Sequence, residues 1–266
     1  MHEPGRYILL ALAALAAGAV NSIAGGGTLL TFPALTLFVP AEVANATSTI
    51  ALLPGSLAGA WGYRKEVVTL KSTVMLLIGP SLVGGLLGAL FVVWFPDQFK
   101  SMVPWLILLA AVLFLIQPMV SRFLKSRSKP ASPDVEARPG TRTKLGIVVF
   151  QFFVAVYGGY FGAGIGILML AALGIMAIGD IHKMNGVKTV LATAINTASV
   201  AVFLSRPGII HWQSAIVMAL ASIAGGYLGA RIARKLPANL VRRLVIAIGF
   251  GLAAYYFWRQ FSSPAS

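Results

Sequence analysis

The stretch NSIAGGGTLLTFPAL, from Asn21 to Leu35, places three consecutive glycines and a proline inside an otherwise apolar segment. Glycine and proline both destabilise a helix relative to alanine. In lipid, any backbone amide or carbonyl released by such a break must be satisfied by the protein or in a water-filled cavity. The stretch therefore predicts a helix that is broken at membrane depth, beside a cavity.

Composition indicates an integral membrane protein, because 58% of the residues are hydrophobic and 11% are charged, whereas soluble domains average about 25% charged residues. The chain has no cysteine, which excludes disulfides and cysteine-ligated metals. The histidines at positions 2, 182 and 211 have no metal-binding spacing. No metal or cofactor is therefore expected. The net charge of +14 does not indicate nucleic-acid binding, because the basic residues lie between apolar runs instead of on one soluble face.

A window of transmembrane length finds five apolar runs on each side of a basic, proline-containing stretch. The runs lie near 7–24, 28–39, 45–63, 70–94 and 102–120, then near 145–161, 164–178, 183–204, 211–230 and 240–258. We expect an all-α polytopic membrane protein with two transmembrane repeats. The predicted units are a first repeat at 1–121, a basic cytoplasmic linker at 122–144 and a second repeat at 145–266.

The two halves share three short motifs in the same order. They are AGGGTLL (24–30) with FGAGIGI (161–167), NATST (45–49) with NGVKT (185–189), and GGLLGA (84–89) with GGYLGA (225–230). Each half has an odd number of segments, which predicts inverted-topology repeats. The first run also resembles a cleavable signal peptide. Its counterpart at 145–161 lies inside the chain, however, and this favours retained structure.

The basic residues predict an orientation. If both termini lie outside, the linker cluster and most other lysines and arginines lie inside. Arg6, Lys100, Arg206 and Arg259 then lie outside. This distribution agrees with the positive-inside rule. We expect the plasma (inner) membrane of a bacterium, with the linker in the cytoplasm.

The first two runs of each half are short for two full crossings. At 1.5 Å per residue, residues 7–39 reach about 50 Å, whereas two crossings need about 60 Å. Residues 145–178 are likewise too few for two full crossings. Each pair is expected to form a short or re-entrant hairpin with a glycine turn inside the membrane. The turns would lie at Gly25, Gly26 and Gly27, and at Gly162, Ala163 and Gly164.

A helix that begins at such a turn presents free amides and the positive end of its dipole, which suits an anion. Thr28 is expected to cap the first of these helices. The alternative is that the glycines let helices pack closely. We favour that alternative for the GGxxGA motifs that begin at Gly84 and Gly225.

The segment after each hairpin carries a polar stripe of about 100°, at 100° per residue. Its members are Asn185, Lys188, Thr189, Asn196 and Ser199 in the second half, and Asn45, Ser48, Thr49, Ser56 and Gly59 in the first. A lysine within a span costs roughly 2.5–3.5 kcal/mol and marks a functional site by default. Snorkelling of Lys188 to the inner surface is the alternative. Its counterpart is the neutral Ser48, so the site would carry one positive charge, which suits an anionic substrate.

The chain carries NSIAGGGTLLTFPAL before a basic linker, and GGYFGAGIGILMLAALG followed by HKMNGVKTVLATAINTASVAVF. In these features it resembles the sulfite exporter TauE/SafE family, also called the toluene sulfonate uptake permease family. The likeness covers nearly the whole chain. It implies a permease, an exporter more than an importer, for small anions such as sulfite, sulfoacetate and other organosulfonates, or small carboxylates. It also implies roles for the Asn21–Thr28 motif, the Tyr157–Gly164 motif, Asn185, Lys188 and Asn196.

We therefore predict a secondary transporter that holds an anion between the two glycine turns and works by alternating access. The candidate substrate-binding residues are Asn21, Ser22, Gly25, Gly26, Gly27, Thr28, Ser48, Thr49, Tyr157, Gly158, Phe161, Gly162, Gly164, Asn185, Lys188, Thr189, Asn196 and Ser199. An anion channel is the alternative. An enzyme is not expected, because no nucleophile and base pair is apparent. The expected partners are a small anion and membrane lipid, while a homodimer and the coupling ion stay open.

Overall fold

The computed structural model describes residues 3–23, 26–127, 141–175, 181–232 and 238–262, and all regular structure within them is helical. The helices are α1 (Glu3–Ile23), α2 (Thr28–Thr36), α3 (Ala41–Gly62), α4 (Arg64–Val68), α5 (Lys71–Trp94), α6 (Pro96–Arg127), α7 (Thr141–Tyr160), α8 (Ile165–Ile175), α9 (Ile181–Leu204), α10 (Trp212–Ile232) and α11 (Ala238–Ser262). Six of the described helices are long and apolar enough to cross a membrane. The predicted all-α polytopic membrane fold is confirmed.

The outer faces of the helices are apolar. Along α6, Trp105, Leu115 and Met119 are 57%, 52% and 71% exposed, while Ile107 and Phe114 are fully buried. An exposed apolar surface of this kind would be a liability in water but is the expected face towards lipid. The chain is therefore an integral membrane protein.

Within the described residues, the helices that follow the glycine turns are about half the length of a crossing. Helix α2 has 9 residues and α8 has 11, so they are about 14 and 16 Å long, whereas the hydrocarbon core is about 30 Å thick. The preceding helices α1 and α7 have 21 and 20 residues and can cross the core. The shortening expected for each hairpin thus falls on its second arm.

The helices of the two halves pack against each other in exchanged pairs. Helix α1 packs mainly on α10, and α5 packs mainly on α7. In the same way, α3 contacts α10, and α9 contacts α5. Likewise α2 contacts α11 and α6 contacts α8. In chain order α1, α2, α3, α5 and α6 correspond to α7, α8, α9, α10 and α11. Each of these contacts therefore has a counterpart in which the halves are swapped.

The GGxxGA motifs lie where helix backbones touch. A Cβ atom built on Gly225 would lie 1.9 Å from the carbonyl oxygen of Leu15 in α1, and one on Gly84 would lie 2.7 Å from that of Phe152 in α7. Even alanine would push these helices apart. The prediction that these glycines serve close packing is confirmed at both positions.

Helices extend into the predicted linker at 122–144 from both sides. Helix α6 continues to Arg127 and α7 begins at Thr141. Residues 128–140 lie outside the described residues. The inverted orientation of the two repeats stays a prediction.

Candidate functional site

The first glycine turn joins α1 to α2. Gly26 has a φ of +101°, in the left-handed region that favours glycine. A Cβ atom there would also lie 2.1 Å from Cζ of Phe114 in α6. Glycine is thus required at position 26 for both backbone conformation and space. Gly25 and the side chain of Ser22 lie outside the described part of the chain.

The prediction that Thr28 caps α2 is wrong. Gly27 precedes the helix and already has helical angles, with φ −54° and ψ −26° and no capping side chain. Thr28 is therefore inside the helix, where its hydroxyl is not placed to act as the cap. Asn21 stabilises the turn instead, because its Oδ1 accepts a hydrogen bond of 2.8 Å from the Gly27 amide.

The second glycine turn joins α7 to α8, and Tyr157 stabilises it twice. The Tyr157 carbonyl accepts hydrogen bonds from the amides of Phe161 and Gly162. Its hydroxyl donates to the carbonyl of Ala163 at 2.7 Å. Gly162 and Gly164 both have a φ of +81°, a conformation that favours glycine. Tyr157 therefore shapes the turn.

The two turns meet neighbouring residues of α6. Gly26 lies against Phe114, and a Cβ atom on Gly164 would lie 3.1 Å from Cδ1 of Leu113. The ring of Phe161, in the second turn, packs edge to face against the ring of Phe32 in α2, with 5.2 Å between the ring centroids. The two hairpins, which are far apart in sequence, are thus brought together.

Lys188 lies over the beginning of α8. Its Cδ atom is 3.2 Å from the position that a Cβ on Gly166 would take, and Gly166 is the second residue of that helix. The ammonium group donates a hydrogen bond of 2.9 Å to Oδ1 of Asn185. The side chain is partly buried. The polar partner of this lysine is therefore a neutral amide.

The first turn of α8 lies against the aliphatic part of the same lysine. The amide of Ile167 donates to the carbonyl of Gly164 at 3.0 Å. Within the described residues around this turn, the amides of Ile165 and Gly166 have no protein acceptor. These free donors provide positive potential at the start of α8.

Helix α3 carries polar groups into the same region from the first half. Asn45 is fully buried, and its Nδ2 donates to the carbonyl of Tyr160 at the end of α7, at 3.0 Å. Its Oδ1 is buried without a hydrogen-bond partner. Ser48 of α3 is hydrogen bonded to Thr31 of α2, with 2.5 Å between the two hydroxyl oxygens. Asn45 belongs to the predicted stripe but was not selected as a site residue, and its contact with α7 becomes apparent only in three dimensions.

The polar stripes of α3 and α9 meet in part. Thr189 Cγ2 lies 3.4 Å from the Cβ position of Gly59. The Thr189 hydroxyl donates to the carbonyl of Asn185, as that of Thr49 does to the carbonyl of Asn45. These two hydroxyls are therefore satisfied by their own helices.

Two predicted site residues lie apart from Lys188. Ser199 is buried and donates to the carbonyls of Gly85 and Ile195, and it lies about 16 Å along α9 from Lys188. Asn196 is partly buried, about 12 Å along the helix. A Cβ on Gly158 would meet Ile195 and Ile165, so this glycine serves apolar packing.

Comparison with known proteins gives a family. The model of the family described as "Sulfite exporter TauE/SafE" matches residues 10–256. A "Probable membrane transporter protein" of Haemophilus influenzae is 30% identical over 244 residues, covering 91% of this chain and 90% of the relative. YfcA of Escherichia coli, described in the same words, is 26% identical and covers 92% of this chain and 87% of its own length. The chain belongs to the sulfite exporter TauE/SafE family, a family of membrane transporters.

Proposed function

We propose that this family member is a secondary transporter, and an exporter, of small anions such as sulfite, sulfoacetate or other organosulfonates. The anion would bind between the two glycine turns. The observation that carries the proposal is the position of Lys188 over Gly166, at the start of the half-length helix α8. A lysine is costly to place within a span, and one that is found there marks a functional site by default. Here its aliphatic part lies against the first turn of α8, whose free amides also favour an anion.

The hydrogen-bond capacity of Lys188 supports this assignment. An ammonium group has three donors, and Asn185 accepts one of them. Two donors are then available to a sulfonate or carboxylate oxygen, together with the Gly166 amide. Hydrogen bonds to charged groups contribute about 1.5–3 kcal/mol each. Three of them would be enough for selective but reversible binding.

The exchanged packing of the two halves supports alternating access. Helices α1 with α10, and α5 with α7, each combine one helix from each half. Two halves of opposite orientation related by a pseudo-twofold axis would pack in this way. In our proposal the halves move against each other around the glycine turns. We also propose that both termini lie outside and that the basic linker lies in the cytoplasm of a bacterial cell.

Transport by reconstituted protein tests the proposal. Proteoliposomes preloaded with unlabelled sulfoacetate should accumulate labelled sulfoacetate by counterflow, and the rate should saturate. Lys188→Gln should lower the initial rate at least tenfold. Lys183→Gln is the matched control, because it removes the same charge from the same helix, and it should retain the rate of the wild type.

Other outcomes would give other functions. Competition by acetate or malonate but not by sulfonates would indicate a carboxylate permease. Unitary conductance steps without counterflow would indicate an anion channel. If neither sulfite, sulfonates nor carboxylates move above the protein-free control, the transport proposal is wrong.

A further inference from the structure

A cluster formed by Arg6 and His211 lies at the start of α1. A terminal nitrogen (Nη2) of Arg6 is 3.1 Å from Nε2 of His211, which immediately precedes α10. The guanidinium carbon lies 5.1 Å from the centroid of the Phe38 ring and 5.7 Å from that of Tyr7. Arg6 therefore joins the ends of three helical segments, α1, α2 and α10. It lies about 26 Å along α1 from the first glycine turn.

One nitrogen of the Arg6 guanidinium, Nε, is buried and lacks an acceptor. Among the side chains that the structure describes, the neighbours of the guanidinium are two aromatic faces and an imidazole, and no carboxylate pairs with it. A guanidinium has five N–H donors, stays charged, and matches oxyanions in a two-pronged geometry. Among the described side chains, this partly buried cation therefore keeps one buried N–H donor without a partner.

His211 cannot satisfy the donors around it. Besides Arg6 at Nε2, the amide of Ser214 faces its Nδ1 at 3.3 Å. A neutral imidazole accepts at one ring nitrogen only. One of the two donors is therefore unmatched, whichever tautomer is present. An oxyanion that accepts from Arg6 would remove the conflict.

The cluster is connected to the first hairpin through α3. The His211 amide donates to Oγ1 of Thr47 at 3.0 Å, and Thr47 is fully buried. The next residue, Ser48, is hydrogen bonded to Thr31 of α2. Polar groups thus continue from Arg6 to the helix that follows the first glycine turn.

We propose that Arg6, with His211 beside it, binds a small oxyanion at a second site, separate from Lys188. A sulfonate, sulfate or carboxylate group has the required chemistry, and so has the phosphate of an anionic lipid headgroup. The assignment of a transported solute to this site rests on the proposed function. In that case Arg6 collects or releases the anion at the end of the molecule that carries the α9–α10 loop.

Equilibrium binding of labelled sulfoacetate to the full chain in neutral phosphatidylcholine nanodiscs tests the proposal. We expect two sites in the wild type, one in Arg6→Gln, one in Lys188→Gln and none in the double variant. Weakening of the Arg6 site by at least tenfold in Arg6→Gln counts as its loss. Arg206→Gln is the matched control, because Arg206 is exposed in the loop that carries His211, and it should retain both sites.

The outcomes separate the two proposals. A single site that Lys188→Gln abolishes and Arg6→Gln leaves unchanged would overturn the Arg6 site and leave the proposed function standing. A single site lost in Arg6→Gln but kept in Lys188→Gln would support the Arg6 site against the Lys188 site. Absence of binding in the wild type would overturn both.

Lipid and folding need their own controls. If phosphatidylglycerol in the nanodiscs displaces sulfoacetate from the Arg6 site, the natural occupant is a lipid headgroup, and the oxyanion site is still supported. Arg6→Lys keeps the charge but loses the two-pronged geometry, so it should bind with intermediate affinity and with the same elution profile as the wild type. Equal affinities for Arg6→Lys and Arg6→Gln would contradict the role of charge at this site.

Discussion

Gly26→Ala should destabilise the protein through a defined contact with Phe114. The left-handed conformation of Gly26, with φ +101°, costs a side-chain-bearing residue about 1–2 kcal/mol. The new methyl group would also lie 2.1 Å from Cζ of Phe114, which is fully buried. Forcing extra atoms into a packed core costs about 1–3 kcal/mol. We expect a total loss of about 2–5 kcal/mol.

A double-mutant cycle separates the two causes. Phe114→Leu removes the ring atoms that would clash but does not change the backbone at position 26. In that background Gly26→Ala should cost only the backbone term, so the coupling energy should be about 1–3 kcal/mol. The unfolded fraction can be measured by titration with a denaturing detergent in mixed micelles. Gly55→Ala is the control, because nothing lies within 4 Å of its Cβ position.

Additive effects of Gly26→Ala and Phe114→Leu, within about 0.5 kcal/mol, would refute the reasoning. They would mean that the first turn does not press on α6. The convergence of the two turns would then lose one of its two contacts with that helix.

Three further substitutions test the turns and the helix crossings. Asn21→Ala should cost about 1–3 kcal/mol, because the buried Gly27 amide loses its acceptor, and Asn21→Asp, which keeps an acceptor, should cost less in the same detergent titration. Tyr157→Phe should cost about 1–3 kcal/mol, because the carbonyl of the buried Ala163 loses its donor, and we expect a lower transport rate with little change in expression. Gly225→Leu should abolish folded protein in size-exclusion chromatography, because the backbone of α1 occupies its Cβ position, whereas Gly251→Leu, with nothing within 4 Å, should be tolerated. Equal behaviour of the two leucine variants would contradict the packing of α1 on α10.

Local features of the fold could be predicted from the sequence because they depend on periodicity and glycine chemistry. The half-length helices after Gly27 and Gly164 follow from the spacing of apolar residues around the glycines. The cap of α2 could not be predicted, because it depends on the backbone angles of Gly27. Asn21 closes that turn from the end of the preceding helix.

The arrangement of the site depends on contacts between distant residues. The stripe on α9 could be read from a helical period, and it includes both Lys188 and Ser199. The sequence alone does not reveal that Lys188 lies over Gly166 while Ser199 faces Gly85 of α5. The contact of Arg6 with His211 joins residues that are 205 positions apart in the sequence, so no local pattern predicts it.

A structure with a bromine-labelled sulfonate would test the central claim most directly. Crystals grown with bromomethanesulfonate allow the anion to be located by anomalous scattering from bromine. We predict a peak between the two glycine turns, with a sulfonate oxygen within hydrogen-bond distance of Lys188 Nζ and the Gly166 amide. A fully occupied peak elsewhere, with Lys188 still bound only to Asn185, would contradict the account.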